Sequence, residues 1–167
     1  MDDIEITPAY CCLMARYSVW QTRSLVAAAS TLTDAERWQD RGAFFGSISG
    51  TFNHLLWDDA LWIARFGGDP KPETHIHPSL DAPQDWEAFC TARAERDRQL
   101  VDWAETVTNT TGTLRFHPGG GDASVEKPLA LCMIHLFNHQ THHRGQIHGM
   151  LTQAGAEPEP TDLPMMP

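Results

Sequence analysis

Positive charge is scarce in this sequence. Twelve Lys+Arg stand against 22 Asp+Glu, a formal net charge of −10. Without a basic run the chain lacks the electrostatic footprint needed to hold a nucleic-acid backbone. Anionic membrane surfaces are disfavoured for the same reason. No stretch approaches about 18 consecutive apolar residues, so no membrane-spanning helix is expected. The opening MDDIEIT is acidic and has neither the basic nor the apolar part of a secretion signal, which makes the cytoplasm the expected location. Cysteine is limited to Cys11, Cys12, Cys90 and Cys132, with no C-x-x-C spacing, and free buried thiols are the expectation. There is no H-E-x-x-H, Walker loop, G-x-S-x-G or Rossmann fingerprint, nor the repeated Glu-x-x-His of di-iron bundles.

What is present is helical periodicity. The 167 residues suffice for one domain with a core, and no repeat or boundary divides them, so 1–167 reads as a single domain. Thr7-Pro8 has the form of an N-cap followed by proline at the first helical position. Tyr10, Leu13, Met14, Tyr17, Trp20, Leu25 and Ala28 then carry a helix to about Ser30. Thr33 to Glu36 forms a capping box that opens a short turn. A helix from about Ala43 to Phe66 is apolar nearly all round, which argues for deep burial. Gly67 to Pro70 ends it, and the proline-rich stretch 67–82, with His75 and His77, reads as a surface crossover. A further helix spans roughly Pro83 to Val107, and residues 108–127 read as a small β-hairpin. The last helix runs from Pro128 to near Gly155. The tail EPEPTDLPMMP is expected to be extended, pinned at most by Leu163 and the two methionines. The sum is an all-α four-helix bundle with a hairpin before the last helix, a fold that builds sites between facing helices.

The chemistry concentrates in residues 132–150, CMIHLFNHQTHHRGQIHGM, which hold five of the nine histidines. His139 and His143 sit four apart, on one helical face, inside an apolar stripe with Cys132, Gln146 and Met150. A buried imidazole without a partner is costly, so the stripe must supply one. Two imidazoles one turn apart make a two-ligand unit, and a catalytic metal site ordinarily has three protein ligands and an open position. His54, alone among histidines in the apolar helix, is the third candidate, with Asp58 one turn on as fourth ligand, general base or orienting group. Gln146 shares the histidine face and is a candidate to orient substrate. Arg93, in the stripe of its helix, could hold an anionic group or pair with Asp97 at i+4. Arg144 points away from the metal face, toward an acidic residue on another helix or across a dimer interface. Cys132 is a second candidate for a fourth ligand, with core as the preferred reading, and His135 reads as core or support for the ligands. The simpler readings are that H-x-x-x-H arises by chance in a histidine-rich chain and that a core histidine is satisfied locally. The pair and a solitary third histidine together point to a divalent ion, Zn²⁺ or Ni²⁺.

TFNHLLWDDALWIARF (51–66) followed by HLFNHQTHHRGQIHGML (135–151) resembles the DinB/YfiT-like superfamily. The likeness extends through MARYSVWQTRSL (14–25), GAFFGSISGTFNH (42–54) and the closing TDLPMMP. It implies an up-down-down-up four-helix bundle, often dimeric. It also implies a metal held by three histidines, which by motif are His54, His139 and His143. Some relatives use low-molecular-weight thiols as transferases or isomerases, and others are described as hydrolases. The expectations are therefore a metal-dependent transferase or hydrolase acting on a small molecule, or a non-catalytic bundle that senses, stores or is stapled by metal.

Overall fold

The computed structural model describes residues 4–67, 85–118 and 123–167. Its elements are α1 (Pro8–Ala29), α2 (Asp34–Trp38), α3 (Ile48–Arg65), α4 (Trp86–Thr106), β1 (Thr113–Phe116), β2 (Val125–Pro128), α5 (Leu129–Gln153) and a closing 3₁₀ turn (Leu163–Met165). The expected caps are in place. Thr7 accepts from the Tyr10 amide, and Thr33 and Glu36 close a reciprocal capping box. The expected crossover at 67–82, with His75 and His77, lies almost wholly outside the described residues.

Helices α1 and α3 each pack against both α4 and α5. Side-chain pairs fix the directions. Cys11 meets Met133 and Ser18 meets Gln140, so α1 and α5 run parallel. His54 meets His143 and Trp62 meets His135, so α3 and α5 run antiparallel. Phe52 meets Phe89 and Phe66 meets Trp103, so α3 and α4 are parallel. The bundle is therefore up-down-down-up. Strands β1 and β2 pair antiparallel, Thr113 with Pro128 through Phe116 with Val125, and the Phe116 ring packs on Trp62. No helix among the described residues is long and apolar enough to cross a membrane.

The core is divided. One apolar cluster gathers around Trp62, Leu100, Trp103, Leu136 and Phe137, and a second around Leu25, Phe52, Leu55, Phe89, Ile147 and Leu151. Along every long helix, the residues between these clusters are polar and buried: Ser18 on α1, Asp58 and Asp59 on α3, Arg93 and Asp97 on α4, Gln140, His143 and Arg144 on α5. A polar layer thus crosses the middle of the bundle.

One helix boundary and the anchoring of the tail differ from the sequence reading. The apolar helix starts at Ile48, not near Ala43, because Ser47 caps it by accepting from the Gly50 amide and Gly46 adopts a positive φ of 73°. Phe44 and Phe45 therefore lie in a turn, and Phe44 is 85% exposed instead of in the core. The tail is tied by polar contacts. Tyr17 Oη donates to the Thr161 carbonyl, Gln21 to the Pro160 carbonyl, and the Glu159 amide to Ser24 Oγ. Met165, by contrast, is largely exposed.

Candidate metal centre

Helices α3 and α5 run antiparallel, so a residue near the start of α3 faces the later half of α5. His54 thereby meets both members of the H-x-x-x-H pair. His54 Nε2 lies 3.2 Å from His139 Nε2, which in turn lies 3.0 Å from His143 Nε2. His54 and His143 are buried and His139 is partly so. Burial pushes the His54 imidazole down to about 3, and lowers His143 from its ordinary value for the same leading reason. These rings are neutral near pH 7. Each presents a lone pair or a single proton, and with the His139 Nε2 atom facing both, three imidazole nitrogens converge on one point. A divalent cation among them would satisfy all three, and the three side chains can offer one nitrogen each to a single ion.

The far sides of the rings differ. Asp58 Oδ2 approaches His139 Nδ1 at 2.9 Å. The approach is electrostatic contact and not an aligned hydrogen bond, since neither atom meets the geometry of one. A carboxylate on Nδ1 is directed away from Nε2, so it orients the imidazole and favours its Nδ1–H tautomer. Gln146 Oε1 does the same for His143 Nδ1, at 2.7 Å. The structure thus gives the side chain of Gln146 to a neighbouring histidine. His54 Nδ1 is buried without a hydrogen-bond partner among the described residues. Its ring is held instead by Phe45, stacked at 3.9 Å between centroids, with the Phe45 ring also 5.4 Å from that of His143.

Phe45 arrives there because of glycine. The turn before α3 closes through Arg41 N to Gly46 O and Gly46 N to Ala43 O. A Cβ on Gly50 would stand 2.3 Å from the Phe45 carbonyl oxygen, so only glycine lets the turn lie against the helix. Sequence periodicity treated Phe45 as core and missed its place over the histidines. The pair Gly46 and Gly50 around a serine cap was the available signal.

The other candidates lie elsewhere. Arg93 is not at the triad. Its guanidinium bonds Asp59 at 2.7 Å and Asp97 at 2.9 Å, all nearly fully buried. The i+4 carboxylate and a second one from α3 claim it. Among the described residues, Arg144 has no carboxylate in hydrogen-bond reach. It donates to Ser18 Oγ at 2.9 Å and to Thr141 Oγ1 at 3.2 Å, and its guanidinium lies over the Tyr17 ring. Ser18 Oγ donates to Gln140 Oε1 and Gln140 Nε2 donates to Asp59 Oδ1, closing a buried chain from Arg144 to Asp97. Cys132 is core, as expected. His135 is exposed at the rim, its ring against Trp62 and His139. His117 and His142 are exposed and outside the triad.

Three comparisons bear on this geometry. A crystal structure of a DinB-like protein from Bacillus cereus ATCC 10987 matches with a TM-score of 0.63 at 20% identity, covering 84% of this chain and 90% of that one, which shows a shared fold. Protein DinB of Bacillus subtilis (strain 168) is 26% identical over 153 residues, covering 87% of each chain. The family model described as DinB family matches residues 6–167. With that match running from Ile6 to Pro167, over a bundle whose α3 and α5 bring three histidines together, this protein belongs to the DinB family.

Proposed function

We propose that the protein is a metal-dependent enzyme acting on a small molecule, with His54, His139 and His143 holding a divalent ion, zinc or nickel. The observation that supports this is the convergence of three imidazole Nε2 atoms, at 3.0 and 3.2 Å, with His54 and His143 both held toward the neutral form by burial. A divalent ion supplies Lewis acidity, the means to acidify a water for hydrolysis or a thiol for transfer. The chain's own residues do the rest. Asp58 and Gln146 orient two of the imidazoles, and Phe45 excludes water from one side of His54. Asp58, which lines the groove beside His139, is the proposed acceptor of a proton from a substrate bound there.

A low-molecular-weight thiol is the proposed cosubstrate, which makes transfer the preferred reaction and hydrolysis the second. A cytoplasmic homodimer is the proposed form, and sedimentation equilibrium checks the stoichiometry. The non-catalytic reading needs a fourth protein ligand to close the site. Among the described residues no other histidine, cysteine or carboxylate joins the three. Asp58 faces the far nitrogen of His139, and Cys132 belongs to the apolar cluster around Trp62.

Elemental analysis of protein purified without a histidine tag tests the site. Less than about a tenth of an ion per chain after divalent-ion reconstitution would remove the reading. Electrophiles screened with and without glutathione, mycothiol or bacillithiol test the reaction. Turnover indifferent to thiols would leave the hydrolase arm alone.

A further inference from the structure

Beside the triad, between α3, α5 and the hairpin, lies a groove of about 480 Å³. None of His54, His139 and His143 lines it, but two of its lining residues, Asp58 and His135, lie against His139. Asp58 lines the groove and touches His139, and His135, one turn before His139, stands at its edge with the two rings 5.6 Å apart. Leu61, Trp62 and Leu131 make an apolar wall. Away from Asp58 the groove has a different character, for Arg65 and Lys127 also line it. Seven residues of helix separate Asp58 from Arg65, roughly 10 Å along the axis.

The two cations run against the charge of the chain, which is −10 overall and has only two lysines. Neither is neutralised by a carboxylate within salt-bridge reach among the described residues, whereas Arg115 on the same hairpin is paired with Glu126. Arg65 is held in place. Its guanidinium is packed between the Trp62 and Phe116 rings, 4.6 Å from each centroid, and one N–H donates to the His117 carbonyl at 3.0 Å. A guanidinium fixed on aromatic faces with donors to spare is preorganised for a planar anion. Cys132, also on the lining, is raised by burial and stays a thiol, so it adds no competing negative charge.

We propose that this groove is the substrate subsite of the triad and takes an amphipathic monoanion roughly 10 Å long, its polar end at the histidines, its apolar body along Leu61, Trp62 and Leu131, and its carboxylate between Arg65 and Lys127. The inference rests on the metal-centre reading, and the experiment separates the two. The full chain loaded with cobalt is titrated with 6-mercaptohexanoate and with 6-mercaptohexanol, following thiolate-to-cobalt charge-transfer absorption. Both thiols are expected to give the band, the acid with a Kd lower by about tenfold. Lys127→Gln, an exposed position, and Arg65→Gln are each expected to shrink that preference, while raised salt weakens the acid and leaves the alcohol unchanged. Equal affinity of the two thiols, or a preference untouched in Lys127→Gln, would overturn the subsite and leave the metal centre standing. In parallel, metal-free protein is titrated with 6-phenylhexanoate and 6-phenylhexanol by tryptophan fluorescence. If cobalt gives no band but the carboxylate is still preferred and Lys127→Gln abolishes the preference, the metal reading fails and the anion subsite stands. If neither titration distinguishes acid from alcohol, the proposal falls.

Discussion

Two polar clusters sit side by side in the middle layer of the bundle, built from neighbouring residues of the same helices. Asp58 and His139 and His143 belong to one; Asp59 and Gln140 and Arg144 belong to the other. Successive helical residues point about 100° apart, so each adjacent pair divides between the two. The inner cluster is complementary to itself. Arg93 and Arg144 offer donors, Asp59 and Asp97 accept, Ser18 and Gln140 relay, and formal charges cancel. The outer cluster is not. Its nitrogens present the same chemistry to one another, and their other partners, Asp58 and Gln146, only orient them. A buried polar group must be matched. The inner cluster is matched within the chain at every charged group, with only Arg93 Nε left without a hydrogen-bond partner among the described residues, and the outer one calls for something from outside it.

Breaking each cluster separately should show the difference. The largest effect is expected from His54→Ala or His143→Ala. Each removes stoichiometric divalent-metal binding, a loss of at least about a thousandfold or roughly 4 kcal/mol, while the apoprotein stays folded. Isothermal titration with Zn²⁺ and far-UV circular dichroism check this, and unchanged metal content in either variant would dissolve the triad. Arg93→Met reverses the pattern. It strands Asp59 and Asp97 as buried charges, so urea unfolding should show a loss of about 3–5 kcal/mol, with one metal still bound per folded chain. Asp58→Asn is milder, because it removes an orienting charge and no ligand. About ten- to a hundredfold weaker metal binding with little change in unfolding midpoint is expected.

The smallest effect is a pH dependence confined to metal-free protein. His54 falls to about 3 in the folded state from an ordinary 6.5. A base with a depressed folded value takes up its proton more readily when unfolded. The stability it contributes is therefore complete above pH 6.5 and is lost as pH falls from there toward 3. The unfolding free energy from urea titrations should decline between pH 6.5 and 5.5 by no more than about 1.4 kcal/mol for this one proton. His54→Gln should flatten that part of the profile, and a profile identical to wild type would show that His54 is not buried as a neutral ring.

Much of the outer cluster is legible in the sequence. The H-x-x-x-H spacing places His139 and His143 on one face of any helix, and His54 stood out as a lone imidazole in an apolar segment. Less was visible of the inner cluster. Ser18, Asp59 and Gln140 are ordinary polar residues in amphipathic helices, and only partners on other helices give them meaning. Arg93 shows the limit. Its spacing to Asp97 was evident, but Asp59 on α3 as its second partner was not. Phe45 is a similar case, since helical periodicity absorbs any aromatic that precedes a helix, and the positive φ of Gly46 decides where the helix begins.

By itself the sequence determined local matters: which segments coil, which caps start them, which faces are apolar, and which imidazoles share a turn. These depend on contacts within a few residues, where spacing dictates geometry. Tertiary structure decided the pairings. The antiparallel packing of α3 on α5 set His54 against residues 85 positions away, turned Asp58 to the far nitrogen of His139, and opened a cationic groove beside them. Those outcomes depend on the direction and rotation of one helix against another, which side-chain packing across the whole core selects and no single segment encodes.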